Sequence, residues 1–264
     1  MRWSLFTGHR RMLRSMRSSV TAALVSGALS VSIPAAADTT EERDVEDFDG
    51  VAFAVPGKLY LEQGEEYLRL EGDEDLLAEI ITEVKDGTLV IRRESSIWTR
   101  SRGTLTAYVG IEDLESLAVA GSGDLIAEDL KSGDLEIKVS GSGEVTIEQL
   151  QAEDVEMKVS GSGAISIEDM TGEDLEATIA GSGRIEVGGE VEAQDIRISG
   201  SGDFRGQDLS TTSTSVVVSG SGDVDVRAED ELDVMISGSG SVRYGGDPSI
   251  SKVVSGSGSV KPAG

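Results

Sequence analysis

Leu135-Glu136-Ile137-Lys138-Val139-Ser140-Gly141-Ser142-Gly143-Glu144-Val145-Thr146-Ile147 is apolar at 135, 137 and 139, breaks at Gly-Ser-Gly, and is apolar again at 145 and 147. Apolar side chains at every second residue mark a strand with one buried face, whereas an amphipathic helix needs them three and four apart. The central tripeptide recurs. Gly-Ser-Gly begins at Gly121, Gly141, Gly161, Gly181, Gly200, Gly220, Gly238 and Gly256, at spacings of 20, 20, 20, 19, 20, 18 and 18 residues. Two residues upstream of each copy stand Val119, Val139, Val159, Ile179, Ile198, Val218, Ile236 and Val254. Four residues past each first glycine stand Leu125, Val145, Ile165, Ile185, Phe204, Val224, Val242 and Val260.

Each unit therefore supplies two short strands. Gly-Ser-Gly makes one corner, and acidic or glycine-bearing stretches such as Asp129 to Asp134 and Asp169 to Asp174 make the other. Such a unit cannot bury its apolar face alone, and stacking like units builds one continuous core. The fold class that follows is all-β, a parallel β-helix (β-solenoid) of about 20-residue coils spaced as strands in a sheet. Equivalent positions then stack in columns. Ile137 recurs as Met157, Ala177, Ile196, Val216 and Val234, and Ile147 as Ile167, Val187 and Val226. The last coil departs, with Lys252 in the column of Val234 and Pro262 in that of Val226, residues that suit a solenoid end by discouraging end-to-end sticking. An antiparallel meander would carry turn dipeptides at both strand ends, whereas the two corners here differ consistently. A membrane barrel would place Glu136, Lys138, Glu156 and Lys158 against lipid.

The composition narrows the function. The 264 residues carry 23 Lys and Arg against 49 Asp and Glu, a net charge of −26, with one His and no Cys. That charge argues against nucleic acid, which needs a cationic footprint. Residues 1–37 hold Arg2, Arg10, Arg11, Arg14 and Arg17 without an acid, then an apolar stretch from Val20 to Ile33, then Ala35-Ala36-Ala37. This is the layout of a signal peptide cleaved after Ala37, and its apolar stretch is too short and polar to span a bilayer. His9 lies within it, so the mature chain has neither His nor Cys and excludes Ser-His-Asp and Cys-His sites and imidazole or thiolate metal sites. No transmembrane segment is expected in the mature chain.

Residues 38–47 are acidic and expected to be flexible. Residues 48–120 are expected to form atypical N-terminal coils of the solenoid, and 121–264 the Gly-Ser-Gly repeat. The strand-like runs of the former are 51–55, 59–61, 67–70, 80–84, 88–91 and 105–109, with a helical turn at 73–77 and Trp98, Tyr60 and Tyr108 as cap packing.

Four blocks carry a resemblance: Phe48-Asp49-Gly50-Val51; Leu59-Tyr60-Leu61-Glu62-Gln63-Gly64-Glu65-Glu66-Tyr67; Val84-Lys85-Asp86-Gly87-Thr88-Leu89-Val90-Ile91; and Leu114-Glu115-Ser116-Leu117 leading into Gly-Ser-Gly-Asp. In this order they resemble the bacterial family called the "putative autotransporter adhesin head GIN domain", over roughly residues 45–260. The resemblance implies an exported protein with a right-handed parallel β-helix, and it carries over no catalytic residue. No translocator barrel is expected within these residues.

Three constellations bear on chemistry. Gly-Ser-Gly is followed by Asp124, Glu144, Asp203 and Asp223, but the same column holds Ala164, Arg184, Ser241 and Ser259, too few carboxylates for a calcium ladder needing six to eight oxygens per ion. The acidic corners (Glu128-Asp129, Glu148, Glu153-Asp154, Glu168-Asp169, Glu173-Asp174) stack across coils and read as a solvated face, with loose divalent binding or a cationic partner as the functional alternative. Lys138, Lys158 and Arg197 beside Glu136, Glu156 and Asp195 are expected to offset the repulsion there. A carbohydrate-active β-helix enzyme, a polysaccharide lyase or hydrolase using paired carboxylates, is the alternative function. Against it stands the absence of inserted loops between Gly121 and Gly258. The reading is therefore an exported, noncatalytic binding or structural module of the cell envelope, adhesin-like, in the periplasm or at the cell surface. Its ligand is an unidentified envelope or extracellular polysaccharide or protein. No catalytic, cofactor-binding or metal residue is singled out, and no cofactor is expected.

Overall fold

The computed structural model describes residues 39–94 and 103–263. The leader expected at 1–37 and the cap residue Trp98 lie outside them. The chain begins with β1 (Thr39–Arg43), β2 (Gly50–Ala54), β3 (Gly57–Gln63), β4 (Tyr67–Gly72), a short helix α1 (Glu74–Leu77), β5 (Ile80–Lys85), β6 (Thr88–Arg93), β7 (Leu105–Ile111) and β8 (Ser116–Gly121). Each following repeat is one long strand: β9 (Asp124–Gly141), β10 (Glu144–Gly161), β11 (Ala164–Gly181), β12 (Arg184–Gly200), β13 (Asp203–Gly220) and β14 (Asp223–Gly238). The last coil splits into β15 (Ser241–Gly245), β16 (Ser249–Gly256) and β17 (Ser259–Pro262).

Pairing between coils is parallel and in register, with Val145 beside Leu125 and Ile165, and Val159 beside Val139 and Ile179. This is a parallel β-solenoid of about 20-residue coils, as the repeat predicts. One expectation needs correction: the acidic corner does not divide a coil into two strands. Gln149, Leu150 and Gln151 pair with Asp129, Leu130 and Lys131 through the bend. In a stack each corner residue finds its hydrogen-bond partner in the equivalent residue of the next coil, so bending the chain does not end the ladder.

The two glycines of each tripeptide serve different ends. The first lies at positive φ, from +92° at Gly121 to +136° at Gly238, a region that side chains disfavour. The second is required by close approach. A Cβ on Gly163 would fall 2.5 Å from both the Gly143 carbonyl oxygen and Val139 Cγ1, so the aliphatic two residues before one corner packs beneath the next. The serine between them is exposed, and its N–H donates to the preceding corner, as Ser142 does to the Gly121 carbonyl at 2.7 Å.

The inward columns form one buried cluster from Phe48 to Val242. They are broken at Gly206 and at the buried polar residues Gln194, Thr211 and Thr214. Gly206 interrupts the column of Ile167, Val187 and Val226, and the ring of Phe204 fills its space, with Cε1 2.6 Å from where a Cβ would stand. Gln194 interrupts the column of Leu175 and donates to Thr214 Oγ1 at 2.9 Å, while its Oε1 has no partner.

The N-terminal region is mixed. β2, β6 and β8 stack parallel above one leg of β9, and β7 and β3 above the other, so these are coils lacking the tripeptide. Onto them fold antiparallel strands: β5 against β6, and β4 against β7. Within the segment expected to be acidic and flexible, residues 39–43 form a strand. β1 pairs antiparallel with β4, and Arg43 donates to the carbonyls of Ile80 at 2.7 Å and Leu77 at 3.0 Å and to Thr82 Oγ1 at 3.1 Å. One arginine thus satisfies the Leu77 carbonyl at the end of α1 and the Ile80 carbonyl at the start of β5, and pins an otherwise acidic strand. Tyr60 and Tyr108 stack on the outward face with centroids 5.4 Å apart, and Arg69 covers Tyr108 at 4.2 Å, so they brace the sheet from outside rather than fill the cap.

Candidate functional site

Where the N-terminal coils meet the repeats, the chain forms an open groove of about 1110 Å³. Its floor is Phe48, Leu114, Leu135 and Val155, all buried. Along it run two in-register rows of carboxylates, Asp134, Asp154 and Asp174, and Glu136, Glu156 and Glu176. Adjacent members are set by the strand spacing, about 4.8 Å. Asp47, Asp49, Glu66, Glu112, Asp113 and Glu115 close the end nearest the cap, and Lys131 is the one basic residue in the lining.

The junction is rigidly built. Gln63 donates from Nε2 to the carbonyls of Glu112 at 3.1 Å and Lys131 at 2.9 Å, and its Oε1 accepts from the Lys131 N–H at 2.8 Å. Ser132 Oγ donates to the Leu114 carbonyl at 2.5 Å, and Glu66 accepts from the N–H groups of Asp47 and Phe48 at 2.9 and 3.0 Å. The walls are therefore fixed before any ligand arrives.

Charge is compensated on one flank only. Lys138 reaches Glu136 at 2.5 Å, and Lys158 bridges Glu156 at 2.5 Å and Glu136 at 3.2 Å. Arg197 pairs with Glu176 and lies 3.9 Å from Asp195, so the offset expected from these three bases is present. The Lys138 hydrogen bond, seconded by Lys158, holds the Glu136 carboxyl below its usual range against the opposing effect of burial. The Asp134, Asp154 and Asp174 row has no base beside it in the pairs described. A surface of this kind attracts cations and, where the rows are unpaired, favours a ligand bearing several positive groups at intervals of a few ångströms.

Of the acidic corner residues, Asp154 and Asp174 line the groove, whereas Glu128, Asp129, Glu148, Glu153, Asp169 and Glu173 point to solvent elsewhere. Glu168 lines a second, smaller cleft with Glu186, Asp208, Asp225, Arg205 and Arg243, where Arg243 pairs with Asp225 at 2.5 Å and Arg205 with Glu186 at 3.6 Å. The column of Asp124, Glu144, Asp203 and Asp223 is broken by Ala164 and by Arg184, which lies 3.8 Å from Asp203. Among the described residues no three or more His, Cys, Asp or Glu side chains are placed to hold a metal ion. Sequence reasoning missed the outer acids of the groove, Asp47, Asp49 and Glu112 to Glu115, which come from N-terminal turns and share no spacing with the repeat. It had Asp134 and Glu136 in view, as the end of a corner and part of a charge pair, but not as members of one groove.

The sequence matches the family described as "Putative auto-transporter adhesin, head GIN domain" over residues 47–169 and 148–248. The chain belongs to this family. A crystal structure from Parabacteroides distasonis, named a "Putative lipid binding protein", is 31% identical, with a TM-score of 0.81 over 86% of this chain and 97% of its own. A "putative adhesin" from Parabacteroides merdae shares the fold at 22% identity, with a TM-score of 0.83 over the same shares of the two chains. No curated protein matches the sequence. Among the described residues no helix is long and apolar enough to cross a membrane.

Proposed function

We propose that this GIN domain is an exported, noncatalytic binding module of the bacterial cell envelope that captures a polycationic ligand, an amine-bearing polysaccharide or a basic protein segment, in the groove beside its N-terminal coils. The observation that carries this reading is the pair of in-register carboxylate rows, Asp134, Asp154, Asp174 and Glu136, Glu156, Glu176, lining one pre-built groove. A periodic ligand meets a periodic surface there. Each charge contact is weak when exposed, but several engaged at once add as linked sites do. Export is supported by the basic, then apolar, then Ala35-Ala36-Ala37 layout of the leader and by adhesin heads as the family's description. Against a lyase or hydrolase stands the unbroken run of coils from β9 to β14, where no loop is inserted to enclose a substrate.

The test is calorimetry of the exported protein with a glucosamine hexamer and its fully acetylated counterpart, which share a backbone and differ in charge. The amine form should bind, more weakly at high salt and in Asp154→Asn/Asp174→Asn. Equal absence of binding by both would overturn the cationic ligand, and release of new reducing ends would overturn the noncatalytic reading. Protease treatment of intact and of permeabilised cells then distinguishes cell surface from periplasm.

A further inference from the structure

The last coil presents a surface that the coils before it bury. Val254 stands in the column of Val218 and Ile236, both buried, yet is 41% exposed; Ile250, in the column of the buried Leu232, is 40% exposed. Among the described residues no strand pairs with the outer edge of β16 or of β17. Open edges flanked by aliphatic side chains are templates for further strands.

Charge selects what covers them. Residues 249–263 carry Lys252 and Lys261 and no acid, in a chain of net charge −26. Neither lysine has an ion pair among those described. The opposite end is the reverse: residues 39–46 and 71–85 hold ten acids against two bases, Arg43 and Lys85, and although Arg69, Arg92 and Arg93 pair with Glu71, Glu83 and Glu79, Glu42, Glu74 and Asp75 are exposed. That end also carries open edges, those of β1 and β5, with Val84 exposed on the latter. Strand direction agrees as well. β1 is antiparallel to β4 and β4 to β7, so β1 runs with β7, β3, β9 and, through the coils, β17. Translation of one copy along the stack therefore sets β17 beside β1 in the parallel sense of that face, and β16 beside β5 in the antiparallel sense that β5 already adopts with β6. Meeting of two like ends would instead set lysine against lysine, or acid against acid, so Lys252 discourages contact between like ends only, a narrower effect than the one expected of it from the sequence.

We propose that the chain associates head to tail, the Lys252 and Lys261 end of one copy docking on the acidic β1, α1 and β5 end of a second. Such an interface is heterologous and does not close, so the product is a filament of solenoids. Pro262 blunts one edge by withholding an N–H, which leaves β16 as the principal contact and keeps association weak and reversible. Ionic strength tunes it, because exposed charges are screened beyond about 8 Å at physiological salt. The groove is not part of this contact, so the proposal stands apart from the ligand reading above.

The test is sedimentation velocity of the exported protein across concentration and salt. A ladder of species growing with concentration and shrinking with salt is expected. Lys252→Glu/Lys261→Glu should raise the concentration needed for association about tenfold or more, and Glu42→Lys/Glu74→Lys should do the same. Asp154→Asn/Asp174→Asn should assemble as the parent does. A monomer at every concentration, or a closed dimer that grows no further, would each overturn the proposal. So would a monomer that floats with phosphatidylglycerol vesicles through the two lysines, which would make the end a lipid-docking surface instead.

Discussion

The two ends of this solenoid solve the same problem by different means. At the N-terminal end the core columns stop beneath α1, whose Leu76 and Leu77 are buried, while β4, β5 and β1 turn antiparallel and Arg43 collects the carbonyls left over. At the other end the columns run on into Val254 and Ile250, which no strand covers among the described residues. The first end is specified by particular contacts, each made once. The repeats are specified by one contact made many times, the glycine corner over the aliphatic of the coil below. A substitution at a second glycine of the repeat therefore strikes a close-packed column in every coil, whereas in the cap the cost depends on the position, from the tight Gly110 to the open Gly64.

Glycine substitutions show that difference at its largest. Gly161→Ala places a Cβ 2.6 Å from the Gly141 carbonyl oxygen at φ +117°, and should cost about 3 kcal/mol from strain and overpacking together. Gly64 in the cap has no heavy atom within 4 Å of where a Cβ would stand and no positive φ, so Gly64→Ala should stay within about 0.5 kcal/mol. Urea denaturation measures both, and equal costs would break the contrast.

Next comes Arg43→Ala. Loss of its hydrogen bonds to Ile80, Leu77 and Thr82 should cost about 2 kcal/mol and release β1, with the far coils keeping their protection in hydrogen exchange. Gln194→Leu should act in the opposite direction. It removes a 3% exposed amide whose Oε1 is unpaired, extends the column of Leu175 by one coil as far as Thr214, and should raise stability by about 1 kcal/mol even though Thr214 loses a donor. A fall in melting temperature would show that the polar trio of Gln194, Thr211 and Thr214 is needed for register.

The smallest effect concerns pH. Glu136 has its carboxyl lowered from 4.5 in the folded chain, so its contribution is present above that value and is lost as pH falls through the lowered range. Glu136→Gln should therefore flatten the acid limb of the stability profile. An unchanged limb would mean that Lys138 and Lys158 contribute nothing there.

The repeat and its columns were legible in the sequence because identical coils must place identical residues at identical heights. The cap was legible only as strands. Nothing in Thr39-Thr40-Glu41-Glu42-Arg43 announces a strand, since its order comes from one guanidinium reaching Ile80 and Leu77 across the fold. The role of the second glycine was hidden for a related reason, because Val139 lies 24 residues before Gly163 and meets it only once coils stack. Half of the groove was legible. Asp154 and Asp174 follow from the period, whereas Asp49, Glu66 and Glu115 are brought to it by turns that have no period.

The claim that one end covers its core columns while the other leaves them exposed is tested most directly by amide hydrogen exchange along the whole stack, at two protein concentrations. At dilution, protection should be greatest from β7 to β12 and fall toward β16 and β17; at high concentration β16, β17, β1 and β5 should slow together while the interior is unchanged. Protection as strong in β16 as in β10 at dilution, with no response to concentration at either end, would contradict the account.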